Sequence, residues 1–340
     1  MSATSTRFCR RWTIHRTDRF AGPPIVAVGG GTGMSCLLSG LKAYSGRITA
    51  VVTVTDNGGS SGRLRKEFDM VPPGDIRDCL LALSEGEPLL ARLLDYRFEE
   101  SDLAGHSFGN LFITALTRVT GSFDRGVREL NRLLEVRGQV LPATGNKVSL
   151  IAHHPDGSKS TGEVEISASS KPIESVEMRP RVGAVAEDIV GAITAARLMI
   201  FGPGSLFTSV IPNLLVDGIR EAILANPCEK ICVANIMTQP GETTGLDLAA
   251  HVAALEAHAG ERFLTAVVVH GGEIAPALLE RYAQEGAFPV GGLEALRGSG
   301  LRVVERELIE LREDSIRHQP DLLASCIVEE FLHDGRGKPA

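Results

Sequence analysis

The stretch Gly29 to Gly33, with the sequence GGGTG, combines residue types and a position that suit the binding of a phosphate group. It follows Ile25 to Val28, an apolar segment typical of a buried strand, and precedes Met34 to Leu41, whose leucines recur with helical spacing. The first N–H groups of a helix lack partners within the helix and attract anions, and glycine lets a phosphate approach the backbone. The pattern therefore predicts a phosphate-binding turn between a strand and a helix.

The same stretch departs from two familiar phosphate-binding signatures. Met34 stands where the dinucleotide fingerprint has its third glycine, and no Lys-Ser/Thr pair follows as it does in a P-loop. On these residues alone, a tight turn without any ligand remains the alternative interpretation.

A second polar loop follows the apolar segment Ile48 to Thr55, which is typical of a central parallel strand. The loop runs from Asp56 to Arg63 and offers a carboxylate, backbone N–H groups, hydroxyls and a guanidinium. An acid at the end of the second strand binds ribose hydroxyls in Rossmann folds, but Asp56 comes slightly late for that role. Binding of another ligand group or of a metal therefore stays open, and a surface linker is the alternative.

Polar loops also follow later strand-like segments at residues 198–201, 230–236 and 263–269. Open α/β sheets bind ligands at the edge formed by the carboxyl ends of their strands. The sequence therefore predicts an α/β protein with a Rossmann-like open parallel sheet flanked by helices, and one site at that edge. Asp75 is interpreted as a helix cap, and the pair His106-Ser107 lacks the nucleophile elbow of a hydrolase.

Residues 139–182 interrupt the alternation of strands and helices. Segments 147–154 and 163–167 are interpreted as strands on either side of the turn residues Pro155 to Ser158, and segment 173–178 as a third strand. A small antiparallel β insertion with an exposed turn is predicted. The resulting division of the chain is a disordered basic leader at 1–22, the first part of the α/β core at 23–138, the β insertion at 139–182, the second part of the core at 183–333 and a flexible tail at 334–340.

Composition narrows the class of protein. Hydrophobic residues make up 43% and charged residues 23% of the 340 residues, as in ordinary globular proteins, and the net charge of −7 argues against nucleic-acid binding. The six scattered cysteines form no CxxC pair, which indicates reduced thiols in a cytoplasmic protein, and no apolar run is long enough to span a membrane.

The Arg-rich leader is interpreted as a tail or a misassigned start, with an organelle transit peptide as the alternative.

The motifs GGGTG, TDNGGSSGRLR, PPGDIRDCL, HSFGN, GPGSLFTS and NIMTQPGET occur in this order along the chain. Together they resemble the bacterial gluconeogenesis factor family, whose relatives include 2-phospho-L-lactate transferase. The resemblance extends from about Ile25 to Leu323 and implies a Rossmann-like parallel α/β core. The ordered set is specific, although GGGTG by itself would be weak.

The resemblance implies a ligand site built from loops of both halves of the core. Tyr282 would offer a ring for stacking on a nucleobase and Arg317 a fork for a diphosphate, with a half-buried helix tyrosine and a solvated arginine as the alternatives. Including these two, the implied ligand-binding residues are Gly29, Gly30, Gly31, Thr32, Gly33, Asp56, Asn57, Ser60, Ser61, Arg63, His106, Asn110, Gly204, Ser205, Tyr282 and Arg317.

Two classes of function follow from the resemblance. The first is a gluconeogenesis factor, a cytoplasmic regulator that binds a UDP-sugar or a related nucleotide and is needed for cell shape and for growth on gluconeogenic carbon sources. The alternative is an enzyme similar to 2-phospho-L-lactate transferase, which transfers a phospholactyl-type group from a nucleotide-activated donor with Mg²⁺ on Asp56 and Asp75.

Binding without catalysis is favoured because the sequence shows no nucleophile beside a base, so no catalytic residue, metal ligand or certain cofactor is assigned. An NAD-dependent dehydrogenase is disfavoured by Met34 and by the late position of Asp56. The exact ligand, protein partners and any homo-oligomeric state stay open.

Overall fold

The structure is a computed structural model that describes residues 21–182, 185–312, 315–334 and 338–339. Residues 1–20, which make up most of the predicted leader, and residues 335–337 and 340 of the predicted tail lie outside the described residues. None of the helices in the described parts of the chain is long and apolar enough to cross a membrane.

The strands, in chain order, are β1 (Ile25–Gly29), β2 (Ile48–Val52), β3 (Gln139–Pro142), β4 (Ser149–His153), β5 (Lys159–Thr161), β6 (Ser175–Arg179), β7 (Leu198–Phe201), β8 (Glu229–Val233), β9 (Ala266–His270), β10 (Arg302–Arg306), β11 (Ile309–Arg312), β12 (Ser315–His318), β13 (His333–Asp334) and β14 (Lys338–Pro339).

The helices are α1 (Gly31–Leu41), α2 (Gly59–Glu67), α3 (Gly74–Leu83), α4 (Pro88–Asp95), α5 (Phe108–Thr120), α6 (Phe123–Leu133), α7 (Glu163–Ala168), α8 (Glu187–Ala195), α9 (Ile211–Leu214), α10 (Ile219–Ala225), α11 (Leu248–Ala259), α12 (Pro276–Gln284), α13 (Leu293–Arg297) and α14 (Pro320–Phe331). A π-helical turn at Leu206–Val210 leads directly into α9.

The central sheet has seven strands in the order β10-β9-β8-β7-β1-β2-β3, and every neighbouring pair is parallel. The chain builds one half of the sheet outward from β1 and then returns to build the other half outward from β7. The strand order therefore reverses between β1 and β7. Open α/β sheets form their ligand crevice at such a point, so the topology predicts a site between the loops that follow these two strands.

The middle of the sheet is buried, as the apolar composition of its strands predicts. β1, β2 and β7 are buried along their whole length, and α1 covers β1 with a face formed by Met34, Leu37, Leu38 and Leu41. These features confirm the predicted α/β fold with an open parallel sheet flanked by helices.

The strand β3 belongs to this main sheet, because it pairs in parallel with β2. Its assignment to the antiparallel insertion, which was predicted to begin at residue 139, is therefore wrong. β3 is an edge strand, so one side of its backbone has no neighbouring strand. There the Asn131 side chain accepts the Val140 N–H at 2.8 Å and donates to the Val140 carbonyl at 3.0 Å. Which strand so short a segment pairs with depends on distant parts of the chain. The residues of the segment itself therefore do not predict its partner.

The predicted antiparallel β insertion is present as a three-stranded sheet with the order β5-β4-β6, and Pro155 to Gly157 in its turn are exposed. One of its predicted strands is wrong, since Glu163 to Ser167 lie in helix α7, and Lys159–Thr161 form the strand instead. The apolar residues Val164 and Ile166 suggested alternation. In the helix Ile166 is buried whereas Val164 is 54% exposed, so two apolar residues at this spacing were too few to identify a strand.

Candidate functional site

A cavity of about 1450 Å³ opens between the loops that follow β1 and β7, where the strand order reverses. Ligand pockets commonly measure about 300–1,000 Å³, so this one has room for a ligand of nucleotide-sugar size. Its wall also includes residues of α3, α4, α7, the loop after β8, α12 and β12.

The glycine turn forms one side of the cavity. Gly31, at φ +68°, adopts the left-handed backbone conformation that favours glycine, and it begins helix α1. A Cβ at Gly33 would lie 2.5 Å from the carbonyl oxygen of Pro203, so only glycine lets this turn approach the loop after β7. The two loops therefore pack backbone against backbone, and both line the cavity.

Two amides hold the loop after β7. The Asn235 side chain accepts the Gly204 N–H at 3.2 Å and donates to the Gly204 carbonyl at 2.9 Å. Gln239 Nε2 donates to Ser205 Oγ at 2.9 Å. Both amides line the cavity and lie in the NIMTQPGET motif, so the motif was the signal for them although neither was predicted individually.

Asp75 is a half-buried residue beside the glycine turn. Burial is the main cause that raises its pKa to about 7, and the negative charges of Asp56 and Asp78 raise it further, whereas a hydrogen bond from the Gly31 backbone N–H opposes the shift. A Cβ at Gly30 would lie 2.5 Å from Asp75 Oδ2, which shows how closely the carboxyl packs against the turn. Asp75 lies in the first turn of α3 and lines the cavity.

Further carboxyls from the insertion and from the loop after β8 line the cavity near Asp75. Burial, followed by the charges of Asp56, Asp75 and Glu242, raises the pKa of Glu163 to about 8. Burial also raises the pKa of Glu242, although this side chain accepts hydrogen bonds from Thr208 Oγ1 at 2.8 Å and from the Phe207 N–H at 3.3 Å. The glycine turn thus shares the cavity with carboxyls whose negative charges repel one another.

This electrostatic arrangement predicts a pH-dependent stability. Because the folded chain raises the Asp75 pKa from 3.8 to about 7, it binds this proton more tightly than the unfolded chain does. The contribution of Asp75 to the free energy of unfolding is therefore fully present below pH 3.8, the pKa of this carboxyl in the unfolded chain. It is lost as the pH rises through about 7, the pKa in the folded chain. We expect Asp75→Asn, which keeps an acceptor for Gly31, to reduce the fall in melting temperature between about pH 4 and 8.

The exposed residue Glu165 supplies the control for this measurement, because it does not line the cavity. Melting curves of wild type, Asp75→Asn and Glu165→Gln across this pH range make the comparison. Parallel pH profiles for wild type and Asp75→Asn would contradict the assignment of the effect to Asp75.

A buried polar network lies behind the α3 side of the cavity. Ser60 Oγ lies 3.0 Å from His106 Nδ1, and Asn110 Nδ2 donates to Ser60 Oγ at 3.2 Å. Arg77 Nη1 then donates to Asn110 Oδ1 at 3.2 Å and to Ser107 Oγ at 2.6 Å. The guanidinium also forms an ion pair with Asp78, so the network fixes two residues that line the cavity.

The loop after β2 is held by its own contacts. Asp56 Oδ1 accepts the Gly58 N–H at 2.7 Å, and Asn57 Oδ1 accepts the Val164 N–H at 2.9 Å. The exposed Arg63 donates to the carbonyl of Ala104 at 2.7 Å. Through Asn57 this loop positions helix α7 beside the cavity.

The far wall is formed by α12 and β12. Tyr282 accepts the Ile316 N–H on its hydroxyl at 2.9 Å, which holds β12 in place, and its half-buried side chain lines the cavity. Arg317 follows Ile316 on β12 and is exposed at the same wall.

The structure therefore divides the predicted site residues, all of which lie in its described parts, into two groups. Those that line the cavity are Gly30, Gly31, Thr32, Gly33, Gly204, Ser205, Tyr282 and Arg317. Those that do not line it are Gly29, Asp56, Asn57, Ser60, Ser61, Arg63, His106 and Asn110. Contact of any of them with a ligand stays a prediction.

With this geometry established, comparison with known proteins identifies the family. The sequence profile of the family 2-phospho-L-lactate transferase CofD matches residues 25–309. The chain belongs to this family. The match covers most of the chain. It includes every part of the cavity wall except β12 and the start of α14.

Relatives of this CofD-family chain include proteins named gluconeogenesis factor. That of Halalkalibacterium halodurans is 43% identical over 307 residues, which cover 90% of this chain and 95% of the relative. That of Bacillus subtilis strain 168 is 43% identical over 309 residues, which cover 90% and 98%. A crystal structure of a Bacillus halodurans protein matches with a TM-score of 0.88 at 42% identity, covering 91% of this chain and 100% of that one. The predicted family and fold are thus confirmed.

Proposed function

We propose that this protein is a gluconeogenesis factor that binds a UDP-sugar in the cavity between β1 and β7. The observation that carries the proposal is the glycine turn at the start of α1, which opens into a cavity of about 1450 Å³. The N-cap residue Gly30 has no side chain to cap this helix, and Asp75 accepts only the Gly31 N–H. The other N–H groups of the first turn and the helix dipole favour an anionic ligand such as a diphosphate.

The remaining walls suit the other parts of such a ligand. Tyr282 offers an aromatic face and Arg317 a cation on the wall formed by α12 and β12. Carboxyl and hydroxyl groups, including Glu163 and Ser205, line other parts of the cavity and suit sugar hydroxyls. We further propose a cytoplasmic role in cell shape and in growth on gluconeogenic carbon sources. The name gluconeogenesis factor, which the relatives carry, supports the link to gluconeogenesis.

The alternative is a transferase similar to 2-phospho-L-lactate transferase, and the family match together with the neighbouring carboxyls Asp56 and Asp75 favours it. Among the described residues, no group of three or more His, Cys, Asp or Glu side chains could hold a metal ion. One or two carboxylates with phosphate oxygens suffice for Mg²⁺, so Asp56 and Asp75 fit that pattern. When bound, Mg²⁺ would neutralise charge on the transferred phosphoryl group.

A calorimetric titration separates the two functions. UDP-N-acetylglucosamine is titrated into wild type and Asp56→Asn, each with Mg²⁺ and with EDTA. We expect wild type to bind equally well under both conditions. Asp56→Asn keeps an acceptor for the Gly58 N–H, so its affinity should fall only by a factor of about two to five, within the range of one neutral hydrogen bond.

The other outcomes are equally informative. A strict requirement for Mg²⁺ that disappears with Asp56→Asn would favour the transferase. Absence of binding to wild type under both conditions would contradict the UDP-sugar proposal.

A further inference from the structure

We infer that Glu163, which the antiparallel insertion brings to the cavity, is a specificity-determining residue. It selects ligands in which a glycosyl group, rather than a third phosphate, follows the diphosphate. The inference rests on the proposed binding of a nucleotide sugar and names the residue that recognises the sugar.

Helix α7 is fixed between two loops of the main sheet. At its start, the Val164 N–H donates to Asn57 Oδ1 in the loop after β2, at 2.9 Å. At its end, a Cβ at Gly241 would lie 2.1 Å from the Ser167 carbonyl oxygen, so the loop after β8 packs directly against the helix backbone. Glu163, the first residue of α7, is therefore held in position by contacts on both sides.

The Glu163 side chain is available to a ligand. It is partly buried in the cavity wall, and it makes no hydrogen bond with another residue in the parts of the chain that the structure describes. Buried Glu242, by comparison, already accepts hydrogen bonds from Thr208 and Phe207. Glu163 is thus freer than Glu242 to exchange hydrogen bonds with ligand hydroxyls.

Its charged neighbours indicate which end of the ligand it meets. A Cβ at Gly58 would lie 3.3 Å from Val164 Cγ2 and 3.5 Å from Asp56 Oδ1, so the start of α7 lies beside Asp56. The negative charges of Asp56, Asp75 and Glu242 act on Glu163. Asp75 in turn accepts the Gly31 N–H of the phosphate-binding turn. Glu163 therefore lies near the phosphates, whereas Tyr282 and Arg317 belong to the wall formed by α12 and β12.

The acidic surroundings discriminate between two groups that can follow a diphosphate. A third phosphate would bring further negative charge against these carboxyls at low dielectric, which is unfavourable. A glycosyl group is neutral, and its hydroxyls both donate and accept hydrogen bonds. The Glu163 carboxyl can therefore bind it whether or not it carries a proton.

The test measures the affinities of UDP, UTP and UDP-N-acetylglucosamine by calorimetry in EDTA, with wild type, Glu163→Ala and Glu163→Gln. Wild type should bind the nucleotide sugar more tightly than UTP. Glu163→Ala should lower the affinity for the sugar about tenfold and change that for UDP by less than about twofold, because only the sugar contact is lost. Glu163→Gln retains hydrogen bonding, so it should keep sugar affinity. It should strengthen UTP binding only above about pH 8, where the wild-type carboxyl is charged.

Glu165→Gln is the matched control, because this residue lies on the same helix and is exposed outside the cavity. It should leave all three affinities unchanged, and thermal unfolding should show that each variant is folded. Equal loss of UDP and sugar affinity in Glu163→Ala, or no loss, would overturn the inference while leaving the proposed function intact. A wild type that binds none of the three ligands would overturn both.

Discussion

Replacing Gly31 with valine is expected to abolish binding of UDP-N-acetylglucosamine, with an affinity loss of at least about a hundredfold. Gly31 has φ +68°, a conformation that a β-branched residue rarely adopts, and it donates its N–H to Asp75. The nearest atom that a Cβ would meet is Ser209 Oγ at 3.9 Å, so the protein itself has space for part of the new side chain. That space borders the cavity, and the branched side chain would obstruct a phosphate.

The control for backbone strain is Gly260→Val. Gly260 has φ +87°, ends helix α11 and would meet no atom within 4 Å with its Cβ. Both variants should unfold at lower temperature than wild type, because each forces a branched residue into the left-handed region. Only Gly31→Val should lose the ligand. Calorimetric binding retained in Gly31→Val, or lost equally in both variants, would argue against a phosphate at this turn.

Arg77→Met is expected to lower the free energy of unfolding by about 3 kcal/mol, as breaking a buried ion pair commonly does. The guanidinium is 10% exposed and its partner Asp78 is 27% exposed, so neither group can regain full hydration after the change. The substitution also removes the donor for Ser107 Oγ and Asn110 Oδ1, two acceptors in the buried network that includes Ser60 and His106.

Arg128→Met provides the comparison, because the Arg128 side chain is 52% exposed in its ion pair with Asp188. An exposed pair contributes about 0–1 kcal/mol, so this variant should unfold close to wild type. Urea denaturation of the three proteins, analysed for midpoint and slope, measures the difference. Similar unfolding free energies for the two variants would show that the network around Arg77 does not stabilise the fold.

The sequence did not identify Glu163 as a cavity residue, whereas it did suggest residues of the loop after β2 that do not line the cavity. Asp56, Asn57, Ser60 and Arg63 follow a strand directly, which made them candidates for ligand contact. In the structure they hold the loop, α7 and the network behind the wall. Glu163 looked like part of a strand, and only the packing of α7 against two loops brings it to the cavity.

The sequence by itself determined those features that depend on neighbouring residues. The apolar run before Gly29, the glycine turn and the spacing of leucines in α1 specify a strand, a turn and a helix through local sterics and periodicity. Repeated polar loops after buried strands specified the parallel sheet, and the ordered motifs indicated the family, which the matches confirm.

Only the tertiary structure decided which of those loops meet and which residues face the cavity. Strand order is set by pairing between segments far apart in sequence, so the placement of β3 beside β2 and of β7 beside β1 could not be derived locally. Helical or extended structure for a short segment such as Glu163–Ala168 likewise depends on contacts with distant loops. Burial and neighbouring charges, which raise the pKa values of Asp75 and Glu163, arise only when the folded chain brings these carboxyls together.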